Sequence, residues 1–380
     1  MKIEKIDKNF DLRGAIEEGE RMRYTLPHPA FDLYGVFYDE KEGRFARMNL
    51  DVADSVSEGV STLSRHTAGG RLRFATDSSV LQLTVKYDFL WLMSHMPLTG
   101  SSGFSLFEET EKGEIFIKNL APISSDAYGF TAETPLKGGV IRNYILYFPL
   151  YNDVKEITIA LDKNAQVKAG KKYRDELPIL YYGSSIMQGG CASRPDHAYQ
   201  ALIAKRNNID YINLGFSGSA KGEDVMVDYL ASINCGLFVC DYDHNAPNAE
   251  HLKNTHYRLY QRYRKMRHDT PILFLTRPDI TGDVEGEERL KIVFDTYKKA
   301  KKDEDENVYF LSGKSFYGKK NRWDFAVDGC HPTDFGFVKM ADKIYKKMIS
   351  IDEKYRGYKR YEDGKKTNGE RPFYPNRGRR

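Results

Sequence analysis

From residue 177 onward, short apolar stretches alternate with longer polar and mixed stretches, and this alternation constrains the fold more than any other feature. Runs of four to six apolar residues are typical of buried strands, whereas the stretches between them have the length of helices. Strands connected by helices form parallel pairs, and such sheets carry their sites at the carboxyl edge. The pattern therefore predicts a doubly wound α/β domain with a parallel sheet. The predicted strands are 177–182, 211–214, 236–241, 272–276 and 308–311, and the predicted helices are 198–206, 224–232, 249–267, 287–301 and 335–350.

Residues 1 to about 170 have strand patterns throughout. Apolar and polar residues alternate at 71–76, 80–87 and 156–161, and turn residues separate these runs at short intervals. No long stretch has helical spacing, so we predict an all-β antiparallel sandwich.

The composition shifts to Lys, Gly and Arg at 167–175, which is typical of a domain boundary. We predict a sandwich domain at 1–170, a catalytic α/β domain at 171–351 and a charged, disordered tail at 352–380.

The composition also limits the partners. The net charge of +4 arises from residues 352–380, where ten Lys and Arg face five Asp and Glu, which leaves about −1 for the rest of the chain. A body without a basic surplus is not expected to bind nucleic acid. Charged residues make up 29% of the chain, no segment is apolar enough to span a bilayer, and residues 1–14 lack the apolar run of a secretory signal. We therefore predict a cytoplasmic protein that does not bind membranes.

The four cysteines form no C-x-x-C pair and have few histidines near them in the sequence. We predict free thiols, no metal and no cofactor.

Two distant segments carry groups suited to nucleophilic catalysis. The strand at 177–182 leads directly into Gly183-Ser184-Ser185, so a serine is expected at the carboxyl edge of the sheet. Asp328 precedes His331 by three residues, a spacing that lets a carboxylate accept a hydrogen bond from the ring Nδ1 while Nε2 takes a serine proton. Each segment alone is also compatible with an ordinary turn before a helix.

Two further loops follow predicted strands and contain groups that can stabilise an oxyanion. Gly218, in Asn-Leu-Gly-Phe-Ser-Gly-Ser, can direct its backbone N–H into a pocket, and Asn245 offers a side-chain amide. Each is equally compatible with a structural role, Gly218 as a turn residue and Asn245 as a helix cap. Asp243 and His244 compete with Asn245 for the role in that loop.

The order of these four segments resembles that of the SGNH hydrolases, also called GDSL-type esterases. The resemblance covers about residues 177–350. It implies a flavodoxin-like hydrolase domain, a nucleophile at Ser185 with His331 and Asp328, and an oxyanion hole formed by Ser185, Gly218 and Asn245.

The chain departs from the family pattern at two positions. Ser184 replaces the aspartate of the Gly-Asp-Ser turn, and Asn245 lies in Asp-His-Asn-Ala-Pro instead of Gly-x-Asn-Asp. Residues 30–34, Ala-Phe-Asp-Leu-Tyr, resemble the Gly-x-Asp-Leu-Tyr motif of a subgroup that carries an N-terminal, jelly-roll-like β-sandwich, although the glycine is missing.

The predicted activity is removal of a small acyl group, acetyl in the first place, from a carbohydrate or another polar metabolite. The alternatives are a carbohydrate-binding protein with a weak hydrolase domain, and a lipase or thioesterase acting on longer chains. Arg194, Arg277 and His244 are weaker candidates for substrate binding, and for Arg277 a structural ion pair is the favoured interpretation. The expected partner is an ester of a small molecule or an oligosaccharide, and a homo-oligomer is compatible with the sequence.

Overall fold

The structure is a computed structural model that describes residues 6, 7, 20–318 and 320–357 of the 380-residue chain. Up to Ala169 the chain forms two antiparallel sheets. One sheet has the order β1-β11-β6-β9, and the other has the order β12-β5-β10-β7-β8, with β2 also paired to β5. A separate hairpin joins β3 to β4. The strands are β1 Arg21–Thr25, β2 Asp32–Tyr34, β3 Phe37–Asp39, β4 Arg44–Ala46, β5 Arg71–Thr76, β6 Val80–Lys86, β7 Phe104–Thr110, β8 Gly113–Leu120, β9 Gly129–Pro135, β10 Arg142–Tyr147, β11 Glu156–Asp162 and β12 Val167–Ala169.

The two sheets share one apolar core. Leu72 and Phe74 of β5 pack in the same buried cluster as Leu81, Leu83 and Val85 of β6. These residues occupy every second position of their strands, so each strand directs one face to the core. The predicted antiparallel sandwich is confirmed.

Three short helices interrupt this strand pattern: α1 Leu50–Val56, α2 Glu58–Ser64 and α3 Leu98–Ser101. The sequence pattern predicted no helices in the first half and so missed them. Helices α1 and α2 have only seven residues each, which is too few to show a helical period. Ala53 of α1 and Val60 of α2 belong to the buried cluster that also contains Leu214 and Val227 of the second half. Helices α1 and α2 therefore pack on the α/β part of the molecule.

From residue 179 the chain forms a five-stranded parallel sheet with the order β14-β13-β15-β16-β17. This is the 2-1-3-4-5 order of flavodoxin-like folds, so the predicted fold class is confirmed. Its elements are β13 Ile179–Gly183, α4 Ser185–Gln188, α5 Tyr199–Asn207, β14 Tyr211–Gly215, α6 Asp224–Ser232, β15 Leu237–Asp241, α7 Ala249–Met266, β16 Ile272–Leu275, α8 Val284–Lys302, β17 Val308–Leu311, α9 Lys314–Tyr317 and α10 Asp334–Ile351.

Helices cover both faces of this sheet. Ile179 and Tyr181 face the cluster that contains α5 and α10, whereas Leu180 and Tyr182 face the cluster that contains α6 and α7. Strands buried on both faces are almost continuously apolar, which explains the near-continuous apolar runs of the sequence.

The segment between β12 and β13 is packed between the two halves. Tyr173 lies against the guanidinium groups of Arg71 and Arg73, whose central carbons are 5.4 and 3.6 Å from its ring centroid. Arg71 is fully buried, forms an ion pair with Asp210 and donates to the Tyr211 carbonyl oxygen at 3.2 Å. The predicted boundary near residue 170 falls in this connecting segment.

The start of the predicted tail contacts the α/β half. Tyr355 is buried, and its hydroxyl donates to the Gly236 carbonyl oxygen at 2.6 Å. The remainder of the predicted tail, 358–380, lies outside the described residues. Among those that are described, no helix combines the length and apolarity needed to cross a membrane.

Candidate active site

Ser185 lies where β13 ends and α4 begins. It is the first residue of α4, and the side chain of Ser184 caps this helix by accepting from the Ile186 N–H at 3.3 Å. Gly183 is required before this turn because a Cβ there would come within 2.0 Å of Asp241 Oδ1. The strand therefore delivers Ser185 to the carboxyl edge of the sheet, as the sequence predicts.

A continuous hydrogen-bond chain joins Ser185, His331 and Asp328. Ser185 Oγ is 2.8 Å from His331 Nε2, and His331 Nδ1 is 2.7 Å from Asp328 Oδ2. With Nδ1 protonated and bonded to the carboxylate, Nε2 is left as the acceptor of the serine hydroxyl. The structure thus brings together the three predicted residues, although Asp328 and His331 follow Ser185 by 143 and 146 positions in the sequence.

The loop around Asp328 is folded to hold the carboxylate in its charged form. Its Oδ1 accepts from the backbone N–H groups of His331 at 2.7 Å and Cys330 at 3.0 Å. Partial burial of the Asp328 carboxyl acts to raise its pKa, but these hydrogen bonds and the ring of His331 outweigh that effect and lower the pKa to about 2. Gly329 makes this turn possible with a φ of +79°.

The serine that replaces the family's aspartate is itself bound to a carboxyl group. The Ser184 N–H and hydroxyl both donate to Asp241 Oδ1, at 3.0 and 3.3 Å. Burial is the main reason why the pKa of the Asp241 carboxyl lies well above its ordinary value. Asp241, at the end of the neighbouring strand β15, thus places a carboxyl group at the turn that lacks one in its own sequence.

The three predicted oxyanion donors lie on neighbouring loops. Asn245 Nδ2 donates to the Phe216 carbonyl oxygen at 2.7 Å, which fixes the amide against the turn that contains Gly218. An amide nitrogen carries two hydrogens, so the second one is free to bind another acceptor. Gly218 is exposed, with a φ of +66°, and a Cβ built there would meet no atom within 4 Å. Among the described residues, no hydrogen bond occupies the N–H of Gly218 or of Ser185.

Two residues that the sequence interpretation missed connect the sandwich to this site. Gln188 donates from Nε2 to the Leu150 carbonyl oxygen at 3.0 Å and accepts at Oε1 from the Ser217 N–H at 3.0 Å. The Tyr151 hydroxyl donates to the Ser185 carbonyl oxygen at 3.2 Å. Both residues act through backbone groups, so no motif in the sequence marks them.

Arg47, just after β4, was also missed. It is 3% exposed and donates only to carbonyl oxygens: from Nε to His66 at 2.9 Å, from Nη1 to Asn213 at 3.0 Å and Gly215 at 2.8 Å, and from Nη2 to Leu63 at 2.5 Å. Its guanidinium lies 4.8 Å from the ring centroid of Phe216. Arg47 thus binds the end of β14, from which the Gly218 loop starts.

His244 and Arg277 form a second network behind His331. His244 Nδ1 accepts from Arg277 Nη1 at 3.2 Å, and its Nε2 is 3.0 Å from Cys330 Sγ. Burial, reinforced by the nearby arginines, lowers the pKa of His244 to about 4, so the ring is neutral. Arg277 also pairs with Asp283 at 2.6 Å. These side chains support the His331 loop, and their predicted contact with substrate stays a prediction.

Arg194 has protein partners of its own. It donates to Asp196 Oδ2 at 3.2 Å, and its guanidinium lies 4.6 Å from the ring centroid of Phe116 on β8. Its predicted role in substrate binding also stays a prediction.

One group of side chains among the described residues has the composition of a metal site. Single ligand atoms of His95, Cys191 and His331 lie within 4.8 Å of one another. Both ring nitrogens of His331 already have hydrogen-bond partners in Ser185 and Asp328, so a metal ion bound to this ring would displace one of them.

Two family models match the chain in sequence. The model of the GDSL-like lipase/acylhydrolase family matches residues 176–350, and the GxDLY model, which describes the N-terminus of SGNH-hydrolase-type esterases, matches residues 23–167. Residues 176–350 belong to the GDSL-like family. This GDSL-like protein has the two-part organisation that the Ala-Phe-Asp-Leu-Tyr segment indicated. No curated protein matched its sequence.

Several solved structures share the fold of this GDSL-like protein. A protein from Bacteroides ovatus described as a GDSL-like lipase has a TM-score of 0.78 at 24% identity, covering 87% of this chain and 98% of its own. A salicylyl-acyltransferase from a tetracycline biosynthetic pathway gives 0.70 at 16% identity, covering 87% and 97%. An acetyl xylan esterase from Butyrivibrio proteoclasticus gives 0.55 at 12% identity, covering 89% and 100%. At these identities the likeness establishes the fold alone.

Proposed function

We propose that this protein is a serine esterase that removes a small acyl group, acetyl in the first place, from a hydroxyl of a carbohydrate or another polar metabolite. The observation that carries the proposal is the hydrogen-bond chain from Ser185 Oγ to His331 Nε2 at 2.8 Å and from His331 Nδ1 to Asp328 Oδ2 at 2.7 Å. A serine hydroxyl is a weak nucleophile until a neighbouring base takes its proton, and this chain supplies that base with its orienting carboxylate.

In the proposed first step, Ser185 Oγ attacks the ester carbonyl carbon while its proton moves to His331 Nε2. The carbonyl oxygen becomes an oxyanion. His331 then gives the proton to the departing alcohol, and the acyl group remains on Ser185 as an ester. In the second step a water molecule attacks this ester with His331 again as the base, which releases the carboxylic acid and restores the serine.

The oxyanion donors in this mechanism are the N–H groups of Ser185 and Gly218 and the free amide hydrogen of Asn245. The Phe216 carbonyl oxygen holds the Asn245 amide at 2.7 Å, so the donor is fixed before the substrate arrives. Donors that need no reorganisation stabilise the charge that develops in the transition state.

The substrate class is supported by names among the structural relatives. One of them is an acetyl xylan esterase, in which an acetyl ester of a polysaccharide is the named substrate. Another is named a salicylyl-acyltransferase. An acyl-serine intermediate can pass its acyl group to water or to another acceptor, and we propose that water is the acceptor here.

The first experiment compares hydrolysis of p-nitrophenyl acetate, butyrate and octanoate by the wild type, Ser185→Ala and Ser184→Ala. We expect acetate to be the best substrate and Ser185→Ala to lose at least about a thousandfold in kcat. Ser184→Ala is the matched control, and it should keep the nucleophile. A serine-directed phosphonate should label Ser185, as located by mass spectrometry.

Rates that rise with chain length would favour a lipase or thioesterase. Full activity in Ser185→Ala, or a label on Ser184, would reject the assignment of the nucleophile. Binding of acetylated oligosaccharides without acetate release would favour a carbohydrate-binding protein.

A further inference from the structure

A group of three side chains that can bind a metal includes the proposed catalytic histidine. His95 is an exposed residue of the loop between β6 and α3, and Cys191 follows the turn after α4. His331 is the proposed base for Ser185. One ligand atom from each lies within 4.8 Å of the other two, and the rings of His95 and His331 meet edge to face with centroids 5.8 Å apart. The group therefore joins the sandwich, the nucleophile segment and the base.

The donor atoms match one class of cation. Imidazole nitrogen and cysteine sulfur are ligands of zinc and similar soft divalent ions, whereas magnesium and calcium prefer oxygen. Around one tetrahedral zinc ion, at about 2.0–2.3 Å from each ligand, neighbouring ligand atoms lie about 3.3–3.7 Å apart. The observed group has to contract by little more than an ångström, and His95 is exposed, so its ring has room to turn.

We propose that zinc, or a similar soft divalent cation, binds reversibly to His95, Cys191 and His331 and thereby inhibits the enzyme. Binding forms one bond from the metal to sulfur and two to nitrogen, and it breaks the S–H bond of Cys191, whose proton passes to solvent. No electron is transferred. The fourth position of the metal is left for water.

The inhibition follows from how His331 is already used. Its Nε2 bonds to Ser185 and its Nδ1 bonds to Asp328, so a metal on either nitrogen removes one of the two contacts. If the metal takes Nε2, Ser185 loses its base. If it takes Nδ1, the Nδ1 proton moves to Nε2, so the ring loses its orienting carboxylate and can no longer accept the serine proton. The inhibitory part of the proposal rests on the proposed serine mechanism, whereas the binding part does not.

The binding part is tested without measuring activity, by titrating the full chain with cobalt(II) and recording the absorption of a cobalt–thiolate bond. We expect the wild type to show this band and Cys191→Ser to lose it. Cys330→Ser is the matched control, because Cys330 is the partly exposed thiol next to His331, and this variant should keep the band. His95→Asn should need at least about tenfold more cobalt. A wild type without the band, or a band that survives in Cys191→Ser, would overturn the site.

The inhibitory part is tested by zinc titration of acetyl ester hydrolysis. His95→Asn should hydrolyse the ester within about twofold of the wild-type rate without metal and should require at least tenfold more zinc for half inhibition. The control is His268→Asn, an exposed histidine on another part of the surface, which should respond as the wild type does. Equal zinc sensitivity of wild type and His95→Asn would reject inhibition at this site. If the wild type hydrolyses no ester, the proposed function fails while the cobalt result stands independently.

Discussion

Ser185 and His331 are joined by a direct contact of 2.8 Å, and this contact predicts how their substitutions combine. Ser185→Ala and His331→Ala should each remove most of the turnover, and the double variant should be little slower than either single variant because the two side chains act in one step. Asp328→Ala should be less damaging, since the ring keeps its contact with serine. The measurement is kcat for the single and double variants. Losses that multiply would show that the two residues act independently.

The amide of Asn245 should act on the transition state. Asn245→Ala is expected to lower kcat by about 10² to 10³, or roughly 2.7 to 4 kcal/mol, with little change in KM, because the donor meets charge that develops only during reaction. Asn248→Ala is a useful comparison, since Asn248 caps α7 by accepting from the His251 N–H at 2.8 Å. That variant should lose stability instead of kcat. A change confined to KM in Asn245→Ala would assign the amide to substrate binding.

Asp243 predicts a pH dependence of stability. It is 3% exposed, and burial raises its pKa from 3.8 to about 6, although hydrogen bonds from the Arg277 and His244 N–H groups oppose this. A carboxyl whose pKa rises on folding stabilises the fold below about pH 4, and this contribution is lost as the pH rises through 6. The side chain of Asp243→Asn stays neutral at every pH. Its free energy of unfolding, relative to that of the wild type, should therefore rise by up to about 3 kcal/mol between pH 4 and pH 7.5.

The measurement for Asp243 is urea unfolding at both pH values. Asp228→Asn is the control of opposite sign, because its hydrogen bonds with Arg262 lower the pKa of Asp228. That variant should lose a little stability at pH 7.5. Parallel pH curves for Asp243→Asn and the wild type would show that the Asp243 carboxyl does not change its protonation on folding.

At the scale of elements, the end of β14 depends on Arg47. Its guanidinium serves four carbonyl groups from two halves of the molecule, and lysine cannot reproduce that planar arrangement of donors. Arg47→Lys should lower both the melting temperature and kcat, because the Gly218 loop starts at the strand that Arg47 holds. Unpaired buried carbonyl groups cost about 1–3 kcal/mol each.

The comparison for Arg47 is Arg267→Lys. Arg267 also donates to backbone carbonyl groups, those of Ala231 at 2.7 Å and Ser232 at 3.0 Å, but at the far end of α6. Its substitution should reduce stability and leave kcat unchanged. Equal kcat values for Arg47→Lys and the wild type would show that Arg47 does not position the Gly218 loop for the reaction.

The elements differ in how far the sequence predicts them. The strands of the parallel sheet were located within about two residues, because an apolar run between polar turns is a local signal. Helices α1 and α2 were not predicted, because seven residues are too few to show a helical period. Their apolar side chains are buried largely by segments that are distant in the sequence.

The same distinction holds for the site. Ser185, Asp328 and His331 lie in short motifs whose order and spacing predict the proposed chemistry. Gln188, Tyr151 and Arg47 bind backbone carbonyl groups across the interface, and a carbonyl group has no signature in the sequence.

At the scale of the whole molecule, the two halves should unfold together. One buried cluster contains Tyr147 of the sandwich with Tyr181 of β13, and another contains Ala53 of α1 with Leu214 of β14. We expect a single calorimetric transition for the full chain and an insoluble product when residues 171–380 are expressed alone. Two separate transitions, or a soluble fragment as stable as the whole chain, would show that the halves are independent domains.

The packing of α1 and α2 on the hydrolase half also affects synthesis of the chain. Both helices are synthesised and emerge from the ribosome well before α6, against which α1 packs. At about 5–20 residues per second the delay is on the order of ten seconds or more. During that interval the residues of the second half that complete the buried cluster around Ala53 and Val60 are not yet available. A nascent chain in this state is a natural client for a chaperone, and its yield should depend on how quickly translation reaches residue 232.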